Sequence, residues 1–135
     1  MSTLHVHILT PTGSYREMDV SILNVQTIDG DRGILPHHMP LVTMLKIGRM
    51  NVVENEERVN YAIAGGMLYF HDDIAEILTD AIERSDEIDR ARALAAQRRA
   101  EQRLATHDSS IDMKRAETAL KKALNRLSVS GSTRI

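Results

Sequence analysis

The chain has 135 residues, no cysteine, no tryptophan and a single phenylalanine, and its formal charge is −2. That length holds one ordinary domain, or a small domain with an appendage, and the lack of cysteine excludes disulfides, thiolate metal sites and thiol nucleophiles. The start has no basic leader and nothing approaches the roughly 20 apolar residues of a membrane helix, so a cytosolic protein is expected, free or docked on a membrane complex.

The small net charge hides an asymmetry. Residues 1–85 hold 12 acidic and 6 basic side chains (−6), and residues 86–135 hold 7 and 11 (+4). An acidic body and a basic appendage attract each other, or the appendage meets an anion.

In chain order, Leu4, Val6 and Ile8 alternate with His5 and His7, a strand with one buried face. Thr10–Gly13 is a turn. From Met18 to Ile28 the alternation changes parity, which a bulge in one long strand would produce. Asp29–Gly33 and Pro36–Pro40 read as loops. Leu41–Leu45 and Ile47–Val53 read as short strands split near Lys46 or Gly48. Glu54–Glu57 turns the chain into Val59, Tyr61 and Ile63. Gly65 and Gly66 bend it into Met67–Phe70, and Asp72-Asp73 turns it into Ile74–Leu78. Closely spaced short strands point to an antiparallel β-sandwich or a flattened barrel over residues 1–85.

Composition then shifts to alanine and charge. Asp86 is suited to cap a helix with Glu87 and Asp89 in its first turn, running to about Leu104. Ser109 with Asp112 signals a second helix, whose apolar stripe is Met113, Ala116, Leu120, Ala123, Leu124 and Leu127. The fold class is therefore α+β: a sandwich, then a two-helix antiparallel hairpin over 86–135, with a loose polar tail from about 128.

Helical spacing aligns Asp89, Arg92, Ala96, Arg99 and Arg103 on the first helix, and Arg115, Ala119, Lys122 and Arg126 on the second. In an antiparallel hairpin the two basic stripes can face one space, where guanidinium forks suit phosphate oxygens. From spacing alone the commoner meaning is a solvated charged face. His5 and His7, and His37 and His38, show no convergence toward a metal, so none is expected. No nucleophile motif or phosphate loop is present, and the basic hairpin lacks the aromatics that stack nucleic-acid bases.

Four ordered motifs carry a resemblance across residues 3 to about 129. They are Gly33-Ile34-Leu35-Pro36-His37-His38-Met39-Pro40-Leu41, Ala64-Gly65-Gly66-Met67-Leu68, Ile88-Asp89-x-x-Arg92-Ala93, and Lys114-Arg115-Ala116-Glu117 through Asn125-Arg126-Leu127. The chain resembles the epsilon subunit of bacterial F-type ATP synthases. The resemblance implies a non-catalytic rotor subunit at the foot of the central stalk, against the gamma subunit and the c-ring. It implies a place at the cytoplasmic face of the cell membrane and an extended hairpin that reaches the alpha/beta catalytic head. It implies a c-ring contact loop around Asp31, His37, His38 and Met39, with His37 where the family commonly has glycine. It also implies a regulatory ATP site drawn from Glu83, Ile88, Asp89, Arg92, Ala93, Arg99, Lys122 and Arg126. Lys122 stands where tight-binding members carry arginine, so weak ATP binding is expected.

Overall fold

The computed structural model describes residues 2–106 and 112–131. Eight strands precede a 3-10 turn and two helices: β1 Leu4–Thr10, β2 Gly13–Val20, β3 Ile22–Thr27, β4 Gly30–Ile34, β5 Leu41–Glu54, β6 Glu57–His71, β7 Ile74–Leu78, β8 Ile82–Arg84, then Ser85–Glu87, α1 Arg90–Thr106 and α2 Met113–Ser130. The strand order is β2-β1-β7-β6-β5-β3-β4, with β8 pairing β6. All pairs are antiparallel except β1 with β7.

The two long central strands hold this sandwich together. β5 and β6 stay in one register from Leu41↔Phe70 to Glu54↔Glu57, where two shorter strands on each side of a break were expected. The end of β6 nearer Phe70 pairs with β7, and its other half pairs with β8. Gly65 and Gly66 do not end the strand; they let it change direction, with φ of 83° and 132°. A Cβ at Gly66 would stand 2.0 Å from the Leu78 carbonyl oxygen, so only glycine fits there.

The parity change after Met18 also has a different cause from the one expected. It is a break at Ser21, where the chain leaves β2 at one end of the strand order and enters β3 near the other. Ser21 donates from both its N–H and its hydroxyl to the Val53 carbonyl, which ties the crossing down. A bulge does exist, one strand further in. Val25 pairs Met50 while Thr27 pairs Leu45, so four residues of β5, Lys46 to Arg49, stand opposite Gln26 alone. The expected loop at Asp29–Gly33 is instead mostly strand β4, paired with β3.

The core follows the period-two pattern. Leu4, Val6, Ile8, Val20, Leu23, Met50, Val52, Leu68 and Ile77 are wholly buried, and Tyr61 and Phe70 supply the largest buried side chains. Both hairpin turns at Asn55-Glu56 and Asp72-Asp73 use two consecutive residues at positive φ, which matches the twist of the flanking strands.

Non-glycine residues pay about 1 kcal/mol for left-handed backbone. Glu56 sits at φ 67° and is exposed. Glu56→Gly therefore raises the unfolding free energy by about 0.5–1 kcal/mol, read from the urea midpoint at unchanged slope.

Candidate functional site

The hairpin leaves the sandwich through a short clamped passage. Arg84 donates from Nε to Asp86 at 2.6 Å, and its N–H bonds Glu87 at 2.9 Å. Tyr15 on β2 donates its hydroxyl to Glu87 at 2.6 Å. That bond holds the Glu87 carboxyl below its usual range, while burial, followed by the same carboxylate, pushes the Tyr15 phenol up. Asp86 and Glu87 are thus spent on the root, and neither belongs to the first turn of α1. Asp89 is the cap: its carboxylate accepts the Arg92 N–H at 3.1 Å and its carbonyl accepts the Ala93 N–H. The helix begins at Arg90, three residues later than a cap at Asp86 implied, and ends at Thr106.

The helices meet through small residues. Ala93 and Ala100 of α1, and Ala116 and Ala123 of α2, are almost wholly buried, which allows close approach. Leu124 points outward, leaving the expected stripe of α2 incomplete, and Leu94 of α1 is exposed as well. Asp112 caps α2 by accepting the Arg115 N–H at 3.0 Å; the Ser109 start signal lies outside the described residues. α2 continues through a buried Val129 to Ser130, so the loose tail expected from about 128 does not begin there. Arg90 closes this end, donating to the Leu127 carbonyl at 3.2 Å and the Ser130 hydroxyl at 2.7 Å. A cation there also suits the helix C-terminal dipole.

The hairpin is folded down, with α2 against β5 and β6 and α1 packed chiefly on α2. Asn125, Arg126 and Arg49 help fasten α2 to the sandwich. Asn125 donates to the Gly48 carbonyl at 2.9 Å and the Ile63 carbonyl at 3.5 Å. Arg126 forks onto Glu83 at 2.6 and 3.2 Å. Arg49 reaches the Ser128 hydroxyl at 3.4 Å. The Asn125 socket is a product of the β5 bulge. Gln26 accepts the Arg49 N–H at 2.8 Å, and its Oε1 would lie 2.2 Å from a Cβ at residue 48, so glycine is needed to keep that side chain in place.

Of the residues expected to hold ATP, the structure brings together Glu83, Lys122 and Arg126. They border a cavity of about 70 Å³ between α2 and the strands, floored by Ile47, Ala62 and Ile63. Ile88 is half-buried at the root, Asp89 is the cap, and Ala93 lies in the helix seam. Arg92 and Arg99 are exposed on α1 and do not border that cavity. The charges suit a polyphosphate, but the cavity falls well below the roughly 300 Å³ of an ordinary ligand pocket. Arg126 already has a carboxylate partner. Sequence reasoning gave no role to Arg90, Arg49 or Asn125, because their partners are backbone carbonyls and hydroxyls that no spacing rule reveals.

Of the expected c-ring loop, His37, His38 and Met39 lie together and Asp31 does not. Asp31 is on β4, opposite Gln26. His37 holds φ 69°, donates its N–H to the Asp73 carboxylate at 2.5 Å, and keeps its ring 3.3 Å from that side chain. Left-handed backbone there explains why glycine suits this position. His38 packs edge-on to Phe70 at 5.8 Å. Met39 is 77% exposed, and Ile28, Val42, Met44 and Tyr69 on or beside neighbouring strands also face outward. No group of three metal-ligating side chains occurs among the described residues. No described helix is long and apolar enough to cross a membrane.

The arrangement defines a class: a β-sandwich body bearing a two-helix arm. Residues 3–85 match the family model for the ATP synthase, Delta/Epsilon chain, beta-sandwich domain, and residues 86–131 match that family's long alpha-helix domain. The chain is 42% identical to the ATP synthase epsilon chain of Bacillus velezensis, over 98% of this chain and 100% of that one. It is also 42% identical to that of Halalkalibacterium halodurans, over 97% and 99%. The fold resembles a chain of the Euglena gracilis mitochondrial ATP synthase, OSCP/F1/c-ring, solved by cryo-EM, with TM-score 0.80, 20% identity and coverage of 93% and 79%. It also resembles one of the Tetrahymena thermophila mitochondrial ATP synthase central stalk/c-ring, with TM-score 0.57, 17% identity and coverage of 96% and 94%. The chain belongs to the ATP synthase delta/epsilon chain family, as a non-catalytic subunit of the epsilon type.

Two outcomes follow from this geometry. Asn125→Ala removes two hydrogen bonds across the hairpin–sandwich contact, a loss of about 1–2 kcal/mol. Native-state trypsin cleavage within the hairpin then accelerates about fivefold or more, while the sandwich keeps its urea midpoint. The second outcome concerns His5, whose two ring nitrogens each lie 2.9 Å from a carboxylate, Glu17 and Asp19. Both nitrogens donate only in the imidazolium, and these bonds, Glu17's first, raise the His5 pKa above 6.5. A raised folded-state pKa contributes stability that is full below the unfolded value and lost as pH rises through the folded one. The stability gap between the native chain and His5→Gln is therefore full just below the ordinary histidine value of about 6.5 and fades as pH rises through the raised His5 pKa; urea midpoints across that window measure it.

Proposed function

We propose that the chain is a central-stalk rotor subunit of a proton-translocating ATP synthase whose hairpin is an ATP-sensitive brake. The sandwich docks on the gamma subunit and the c-ring, using His37–Met39 and the outward-facing Ile28, Val42, Met44 and Tyr69. A surface of that kind on a small domain is a docking surface. The complex holds it peripherally at the cytoplasmic face of the bacterial membrane. Folded down, the hairpin leaves the motor free; extended along gamma, its basic α2 reaches the alpha/beta catalytic head and blocks hydrolysis.

The observation that carries this reading is the slender attachment of α2, held by Asn125, Arg126 and Arg49. ATP near Arg92, Arg99, Lys122 and Arg126 favours the folded arm by neutralising both stripes, with Arg126 exchanging Glu83 for a phosphate. A ligand at ten times its Kd contributes only about 1.4 kcal/mol, whereas complete switching needs about 5.5 kcal/mol. The two arm positions must therefore be nearly balanced beforehand, which a few polar clasps and an alanine seam permit.

The closed Glu83–Arg126 pair and its small cavity favour a second reading, a purely structural coupler indifferent to nucleotide. Calorimetric titration of ATP into the isolated chain, beside Arg92→Ala, separates the two. The sensor reading expects saturable heat in the native chain, weakened about tenfold or more by the substitution. Equal heats, or no binding at about millimolar ATP, leave the structural coupler.

A further inference from the structure

The loop between β4 and β5 is a tight turn that carries an unfavoured residue. The Leu35 carbonyl accepts the His38 N–H at 3.1 Å, so Leu35 to His38 form a β-turn. Pro36 stands second, where its fixed φ is already correct. His37 stands third, at φ 69°. That combination is a type II turn, whose third position favours glycine because φ is positive there. The His37 side chain is 77% exposed, so burial does not hold it in place.

The hold comes from a different turn. Asp73 lies in the tight connection between β6 and β7, where His71 pairs with Ile74, and its carbonyl accepts the His5 N–H of β1 at 2.8 Å. Its backbone is therefore fixed to the sheet. Its carboxylate reaches the loop twice: Oδ1 accepts the His37 N–H at 2.5 Å, and Oδ2 lies 3.3 Å from the ring Nδ1. A hydrogen bond to a carboxylate is of the stronger kind and offsets the cost of one left-handed residue. One residue on, the His38 ring packs edge-on to the buried Phe70, and its Nδ1 lies 2.6 Å from the Met39 carbonyl. Met39 projects from a turn anchored at both histidines. Asp72 makes no such reach; its carboxylate lies 3.3 Å from His71 instead.

We propose that Asp73 is the positioning residue of the docking loop: it holds His37 in the left-handed turn and so fixes how Met39 is presented to the c-ring. The choice of partner rests on the docking reading above; the clamp rests on its own geometry. Asp73 acts through His37 and needs no contact with the partner. Its effect is therefore conditional on residue 37, since glycine takes the turn unaided.

The test uses the full chain and two readouts. NMR exchange of the His38 amide, whose bond closes the turn, reads the clamp. Affinity for ATP synthase depleted of this subunit reads docking. Glycine suits the positive φ of Asp73, so Asp73→Gly removes the carboxylate without straining the β6–β7 turn. The proposal expects Asp73→Gly to speed His38 exchange and weaken docking about tenfold. Asp73→Asn, which keeps an acceptor oxygen, recovers part of the loss, and Asp72→Gly changes neither readout. With His37→Gly already in place, Asp73→Gly costs about threefold or less, a non-additivity that direct contact with the partner would not produce. Equal losses in both backgrounds would overturn the proposal, as would native His38 exchange and native docking in Asp73→Gly. Failure of the native chain itself to dock defeats only the docking reading, and His38 exchange still decides the clamp.

Discussion

The bond from Asn125 to the Gly48 carbonyl is the contact on which the arrangement of arm and body turns. It exists because β5 bulges opposite Gln26, which leaves a strand carbonyl facing outward at a place where a sheet would ordinarily consume it. The absence of a side chain at Gly48 lets Gln26 fold into that bulge and bond the Arg49 N–H. One glycine, one glutamine and one asparagine, far apart in sequence, thus make a socket and its pin. The Glu83–Arg126 fork and the Arg49–Ser128 contact then set the angle at which α2 lies.

This kind of attachment differs from the packing inside the sandwich. The body buries its aliphatic side chains around Tyr61 and Phe70, and such burial contributes stability of about 1.5–3 kcal/mol per large side chain. The arm instead rests on hydrogen bonds, each contributing about 1 kcal/mol net, and on alanines that remove little surface from water. Glu83 and Arg126 are both partly solvated, and an ion pair in that setting contributes at most about 1 kcal/mol. A rigid body and a lightly held arm follow directly from that contrast. The root is firmer than the arm, because Tyr15, Arg84, Asp86 and Glu87 lock it to β2 and β8. Movement of the arm is therefore expected beyond Glu87, at Ile88 and Asp89.

The sandwich was legible because its strands alternate cleanly: Leu4, Val6 and Ile8 read as inward and are. Its length relations were not, because Gly65-Gly66 and the Lys46–Gly48 region look like breaks in one dimension. In three dimensions they are bends that let two long strands serve both halves of the body. The parity slip after Met18 was visible, yet a bulge and a change of sheet leave the same trace; only pairing with Val53 and Met50 separates them. The acids at Asp86, Glu87 and Asp89 all suit a helix start, and capture of the first two by Arg84 and Tyr15 decides in favour of the third. Asn125 and Arg90 were illegible as contacts, since their partners are carbonyls up to 77 residues away. Of the residues carried by the family resemblance, Glu83, Lys122 and Arg126 share a cavity, whereas Arg92 and Arg99 stand apart on α1, a separation that helical periodicity alone did not reveal.

The central claim is that arm and body are separate cooperative units joined by a weak clasp. Native-state hydrogen exchange on the full chain measures this directly, residue by residue. The account predicts that amides of α1 and α2 exchange through a shared local opening, several kcal/mol easier than the global unfolding that releases the central pairs of β5 and β6. Protection of α2 equal to that of the β5–β6 core, changing with denaturant at the same slope, would contradict it and make the hairpin an integral part of one rigid domain.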